Sequence, residues 1–88
     1  MFECHITCAL ADAKKCETVA DRLHWSTSQI ERDPVLGKAS YFYLTSHSRD
    51  LTEMTTRMRA AVQGLEQLGV QVLREKIEVI IHDTKVKL

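Results

Sequence analysis

The sequence predicts an α+β fold in which a four-stranded antiparallel sheet carries two helices on one face. Three observations predict it. Two segments repeat apolar residues every three or four positions, and the segments between and around them alternate or enrich apolar, β-branched and aromatic residues. Taken in order, these read strand, helix, strand, strand, helix, strand. A chain of 88 residues holds one domain, 1–88, with no room for a second folded unit.

Phe2-Glu3-Cys4-His5-Ile6-Thr7-Cys8 alternates with the two-residue period of a half-buried strand. Phe2, Cys4, Ile6 and Cys8 then share one face, and Glu3, His5 and Thr7 the other. Over 12–23 the period lengthens. Ala13, Cys16, Val19, Ala20 and Leu23 fall on one side of a helix, Lys14, Lys15, Glu17 and Asp21 fall opposite, and Asp12 is placed to cap it. The stretch 24–32 either continues that helix or begins a strand. Its apolar residues are Trp25 and Ile30, and Ser26, Thr27 and Ser28 are weak helix formers, which favours the strand.

Asp33-Pro34-Val35-Leu36-Gly37 reads as a five-residue hairpin connection. It leads to a strand over 38–47, rich in Tyr41, Phe42, Tyr43, Leu44 and Thr45. Asp50 and Glu53 stand at capping-box spacing, with Asp in the place usual for Ser or Thr. Leu51, Met54, Met58, Ala61, Leu65 and Leu68 form the apolar stripe of the second helix, and Gly69 stops it. At 1.5 Å per residue this helix is about 27 Å long, enough to cover four strands. The last segment, 70–82, is a strand with Leu73, Ile77, Val79 and Ile81 toward one side. Arg74, Lys76, Glu78, Ile80 and His82 point to the other, with the parity unsettled near Glu75.

This order is the split βαβ arrangement of ferredoxin-like domains. Right-handed crossovers place both helices on one face, the first and third strands at the centre and the second and fourth at the edges. Losing the second strand would leave three strands and two helices.

Lys and Arg number 12 and Asp and Glu 12, so the chain has no basic field to displace counterions from a phosphate backbone, and no nucleic acid partner is expected. Residues 1–11 contain no basic residue ahead of the apolar positions and no sustained apolar run. Neither a signal peptide nor a membrane span is expected, and the cytoplasm is the default location. Three cysteines, an odd number without an export signal, favour reduced thiols.

With helices over one face, the other is open, and strand parity says what it carries. His5 and Thr7 lie on a central strand, Tyr41, Tyr43 and Thr45 on one neighbour, and Arg74, Lys76, Glu78, Ile80 and His82 on the other. Cross-strand partners lie roughly 4.5 to 5.5 Å apart, so imidazole, phenol, ammonium and carboxylate converge as an acid/base set. Polar residues on a half-solvated face, and Lys alternating with Glu at an edge, are also what solubility alone requires. Two functions compete for the face. In the first it is an interaction surface that forms a homodimer by face-to-face sheet packing, made adhesive by Trp25, Tyr41, Tyr43 and Ile80, or by pairing of edge strands. In the second it binds a small anionic ligand or serves as an acid/base enzyme site. Lys76 and Arg74 then supply charge, His5 the titratable group, Glu78 its orientation and Tyr43 a hydrogen bond.

Cys4-His5-x-x-Cys8 has the residue types of a metal cluster but not the geometry. On a strand Cys4 and His5 point to opposite faces, and Cys4 and Cys8 stand about 13 Å apart, too far to share a zinc ion. The three cysteines are expected in the core, and no metal is expected. Gly-rich phosphate loops, the Gly-x-Ser-x-Gly elbow and His-Glu-x-x-His are absent, so no cofactor is expected. His24 and His47 fall at element ends, where solvation is the ordinary role.

Phe2-Glu3-Cys4-His5-Ile6-Thr7, with Leu73-Arg74-Glu75-Lys76-Ile77-Glu78, resembles small uncharacterised bacterial proteins that begin F-E-x-H-h-T and carry R-x-K-I-E late in the domain. That resemblance implies the ferredoxin-like fold and names no activity. His5-Ile6-Thr7 is also similar to one H-h-T/S motif of the two-histidine phosphoesterases, and His82-Asp83-Thr84 has the H-x-T spacing with Asp at the apolar position. Those enzymes are bilobal and about twice as long. The resemblance implies a phosphate-handling role for His5, Thr7, His82 and Thr84, in a dimer.

Overall fold

A computed structural model describes residues 1–30 and 40–81. The alternating first segment is strand β1, Phe2–Ala9. A single 3-10 turn, Leu10–Asp12, leads into helix α1, Ala13–Leu23. Asp12 holds the capping position without a side-chain capping bond, so the turn, not the carboxylate, begins the helix. The stretch that admitted two readings is strand β2, Ser26–Ile30, followed by β3, Tyr41–Ser48, helix α2, Leu51–Gln67, and β4, Val72–Val79. The sheet order is β2-β3-β1-β4, every pair antiparallel, with the first and third strands central as the ferredoxin-like order requires. The proposed hairpin connection at Asp33 to Gly37 and the expected strand start at Lys38 lie outside the described residues, as do His82, Asp83 and Thr84.

Both helices end in the same backbone device. At the end of α2, Gly69 adopts φ +79°, while the N–H of Val70 bonds to Leu65 C=O at 3.0 Å and that of Gly69 to Glu66 C=O at 2.9 Å. This Schellman closure explains the predicted stop at Gly69. At the end of α1 the left-handed position is filled by His24, φ +63°, and the Trp25 N–H reaches Ala20 C=O at 2.8 Å. The start of α2 is capped by Asp50, whose carboxylate accepts from the N–H groups of Thr52 and Glu53 at 3.3 Å each. The Asp50 N–H donates instead to the Ser48 hydroxyl at 3.1 Å, so Ser48 fills the reciprocal half of the capping box.

Cys4, Ile6 and Cys8 of β1 and Phe42 and Leu44 of β3 pack against Cys16, Val19 and Ala20 of α1 and Met54, Ala61 and Leu65 of α2. Both helices therefore cover one face, and the three cysteines are free, buried members of the core. The helices approach closely at Gly64, where an added Cβ would lie 3.0 Å from Arg22 Nη2 and 3.3 Å from Val19 Cγ1.

The edge strand corrects the expected parity. Thr7 pairs with Arg74 and Cys8 with Val72, so Leu73 is the extra residue of a bulge. Val72 packs on the core, and Leu73 turns outward to 39% exposure. Ile77, opposite Cys4, packs on the core as expected, but Val79, at the end of β4, and Ile81 beyond it are 67% and 68% exposed. Trp25 is also a core residue and not part of the outer face. The Arg57 guanidinium stands 5.9 Å from the centre of its ring. Among the described residues no helix is long and apolar enough to cross a membrane.

Candidate functional site

Register sets the site. On the face away from the helices, three rows run across β4, β1 and β3: Glu78, Glu3, His47; Lys76, His5, Thr45; and Arg74, Thr7, Tyr43. Each row is a set of cross-strand neighbours, so side chains from three strands meet without any loop.

His5 is at the centre of this grid, and both its ring nitrogens are engaged. Nδ1 is 3.0 Å from the Thr45 hydroxyl, and Nε2 is 2.7 Å from Glu3 Oε1. A hydroxyl both donates and accepts, so Thr45 supports His5 whether Nδ1 carries a proton or not. The second Glu3 oxygen, Oε2, accepts from His47 Nε2 at 2.6 Å. Glu78 Oε1 approaches both His5 Nε2 and Lys76 Nζ at 3.4 Å. The His47 backbone is held from the opposite side of the sheet's end, where Arg57 of α2 donates from Nη1 to its carbonyl at 2.7 Å.

Burial by itself would raise the Glu3 carboxyl. The hydrogen bonds from His5 and His47, and then their charges, outweigh it and hold Glu3 below the ordinary value of 4.5. Glu3 is thus the ionised hub joining two imidazoles.

The structure places His5, Thr7, Tyr43, Arg74, Lys76 and Glu78 on the face that strand parity assigned to them. Tyr41 lies further along it, half-buried and opposite Ala9. His82 and Thr84 lie outside the described residues, so the second H-x-T pair has no place in this geometry. Two expectations change. The face is not open throughout, since Thr7 is 3% and Tyr43 9% exposed. A short side chain on a central strand lies low between long neighbours, here Tyr43 and Arg74. The residue nearest His5 is Glu3, not Glu78, which stands at the longer distance.

Strand parity puts Glu3 and Thr45 on this face without giving them a role, and His47, expected to be merely solvated at an element end, instead bonds to Glu3. The signal for His47 was present, because the alternation that carries Tyr41, Tyr43 and Thr45 continues to it. What pattern alone does not give is the register that sets His47 opposite Glu3. Glu3, His5 and Glu78 also offer one ligand atom each, all within 4.8 Å of one another, as a set able to hold a metal ion.

No protein-family model, curated protein or solved structure matches the chain. The arrangement itself must indicate the chemistry: a half-buried imidazole fixed at both nitrogens, two carboxylates directed at one of them, and Lys76 and Arg74 on the adjoining strand.

Proposed function

We propose that this sheet face is the working surface of the domain and binds a small anionic ligand, with His5 as the group that donates or accepts a proton. The observation that carries the reading is the double anchoring of His5 by Thr45 and Glu3, which fixes ring orientation on a surface where a solvated histidine would turn freely. Lys76, the register partner of His5, and Arg74, the register partner of buried Thr7, supply positive charge on the adjoining strand. Heteronuclear NMR of the full chain, treated with chelator and titrated with inorganic phosphate, tests it. Saturable shifts at His5, Lys76 and Arg74 are expected, and their loss in Lys76→Ala. Shifts absent, or spread evenly over the surface, would overturn it.

A second reading, homodimerisation, is supported by a different observation. Among the described residues β4 is an edge strand, and Val79 and, just past its end, Ile81 expose most of their apolar surface. With Trp25 in the core and Tyr43 buried, this edge supports self-association better than the face does. Sedimentation at micromolar concentration should give a dimer that Val79→Lys dissociates. A monomer at all concentrations would reject it.

A further inference from the structure

We propose that Glu3, His5 and Glu78 form a binding site for a divalent first-row transition metal ion, of which zinc is the representative. The proposal deepens the reading of this face as an anion-binding surface and rests on it; with the ion at Nε2, the ion and not a His5 proton meets the ligand.

Two anionic side chains converge on one ring nitrogen. Two carboxylate oxygens, Glu3 Oε1 at 2.7 Å and Glu78 Oε1 at 3.4 Å, are directed at one nitrogen, His5 Nε2. That nitrogen carries at most one proton, and one proton makes one good hydrogen bond. Two anions brought to the same point repel each other, although each has a neighbour of its own, Lys76 at 3.4 Å from Glu78 and His47 at 2.6 Å from Glu3. A dication at the convergence point attracts both oxygens and accepts the imidazole lone pair as well.

The dimensions agree. Zinc bonds of about 2.0 to 2.2 Å to nitrogen and oxygen place tetrahedral donors roughly 3.3 to 3.6 Å apart. The His5 to Glu78 distance is already 3.4 Å, the His5 to Glu3 contact needs to open from 2.7 Å by less than an ångström, and all three donors lie within 4.8 Å of one another. The surrounding groups suit the purpose. His47 Nε2 donates to Glu3 Oε2 and leaves Oε1 for the ion. When the ion displaces the Nε2 proton to solvent, His5 keeps its orientation by donating from Nδ1 to the Thr45 hydroxyl. Such outer contacts fix ligand orientation at metal sites. One imidazole with two carboxylates selects zinc, cobalt or manganese over calcium and magnesium, which take oxygen donors.

Three protein donors leave at least one position of a four-coordinate ion unfilled. A small anion fits there, which would unite the metal with the ligand proposed above.

Cobalt and zinc chloride titrated into the full reduced chain, free of phosphate, test the site by calorimetry and by visible absorption. One equivalent of Co2+ should bind with nitrogen and oxygen ligation, and zinc should displace it. Glu78→Gln, on the exposed edge strand, should weaken binding at least about tenfold with the circular dichroism spectrum unchanged. Thr45→Val should weaken it about ten- to a hundredfold, the range for loss of an outer-shell partner. Glu66→Gln, on the helix side, should have no effect. Absence of binding up to about 1 mM metal, equal affinity in Glu78→Gln, or a sulfur-to-cobalt charge-transfer band would each overturn the proposal. Because the phosphate titration is carried out with chelator, failure of one experiment leaves the other able to succeed.

Discussion

His5 Nε2 stands 2.7 Å from Glu3 Oε1, although the two side chains come from the same strand and only two residues apart. Neighbours on one face of a strand are not usually so close. The contact exists because Glu3 leans toward both imidazoles, giving one oxygen to His5 and the other, at 2.6 Å, to His47 on the next strand. Glu3 is thereby the charged hub of β1 and β3.

The acid behaviour of the domain follows from that hub. In the folded chain Glu3 titrates below 4.5, the hydrogen bonds and charges of His5 and His47 prevailing over burial. A depressed carboxyl contributes stability at pH above its unfolded value, and that contribution disappears as pH falls through the lowered folded value. Glu3→Gln should cost about 1 kcal/mol at neutral pH, allowing for solvent screening. The gap between variant and parent should then close on acidification. Urea unfolding of both proteins across the acid range measures this, and a gap that stays constant with pH would contradict it.

How far the sequence carried this picture differs between elements. Alternation in Phe2 to Cys8 was enough to place His5 and Thr7 on the outer face and Ile6 in the core, because a two-residue period fixes side-chain direction wherever one face is buried. The same logic failed at Leu73. A bulge adds one residue, and apolar pattern does not distinguish a bulged Leu from a core Leu. Strand parity does not reach Trp25, which precedes β2 and packs in the core and not on the outer face. Glu3 and His47 were visible individually. Their meeting depends on which residue of β3 faces which residue of β1, and that register emerges only when the whole sheet assembles.

The two helix ends make a comparison that predicts a stabilising substitution. Gly69 and His24 hold equivalent left-handed positions, φ +79° and +63°. Glycine enters that region without steric cost, whereas a residue with a Cβ pays roughly 1 kcal/mol. His24→Gly should therefore raise stability by up to about 1 kcal/mol, offset in part by the greater freedom of glycine in the unfolded chain. The urea midpoint should increase with an unchanged denaturant slope. A decrease would mean that the His24 ring makes contacts worth more than the backbone strain.

Gly64 lies where α1 and α2 come closest, and here a larger side chain should do harm. Its added Cβ would meet Val19 Cγ1 at 3.3 Å, and Val19 is fully buried and cannot withdraw. The Arg22 guanidinium, at 3.0 Å, is the end of a flexible chain and can move away. Gly64→Ala should be close to neutral, since better helix propensity offsets the crowding. Gly64→Leu pushes the helices apart and should cost about 1 to 3 kcal/mol. If thermal unfolding gave the two variants equal stability, the close approach would not be a constraint.

At alkaline pH the buried thiols should govern stability. Burial first, then the charge of Glu75, pushes the Cys4 thiol from 9.0 up to about 11, against a smaller opposing effect of Arg57. Cys8 and Cys16 are also raised, chiefly by burial. The sign follows from proton counting. Above pH 9 the unfolded chain gives up thiol protons that the folded chain still holds, so stability falls as pH rises through the window from 9 toward about 11. Each thiol in that window lowers stability by about 1.4 kcal/mol per pH unit at most. Cys4→Ala should begin less stable, because it leaves a small cavity in the core, and then decline less steeply than the parent over the same interval. The same burial predicts slow reaction. At pH 8 a thiol reagent should modify the native chain far more slowly than the urea-unfolded chain, in which all three cysteines become accessible. Rapid labelling of the folded protein, or parallel alkaline decline in parent and Cys4→Ala, would show that these thiols are not sealed beneath the helices.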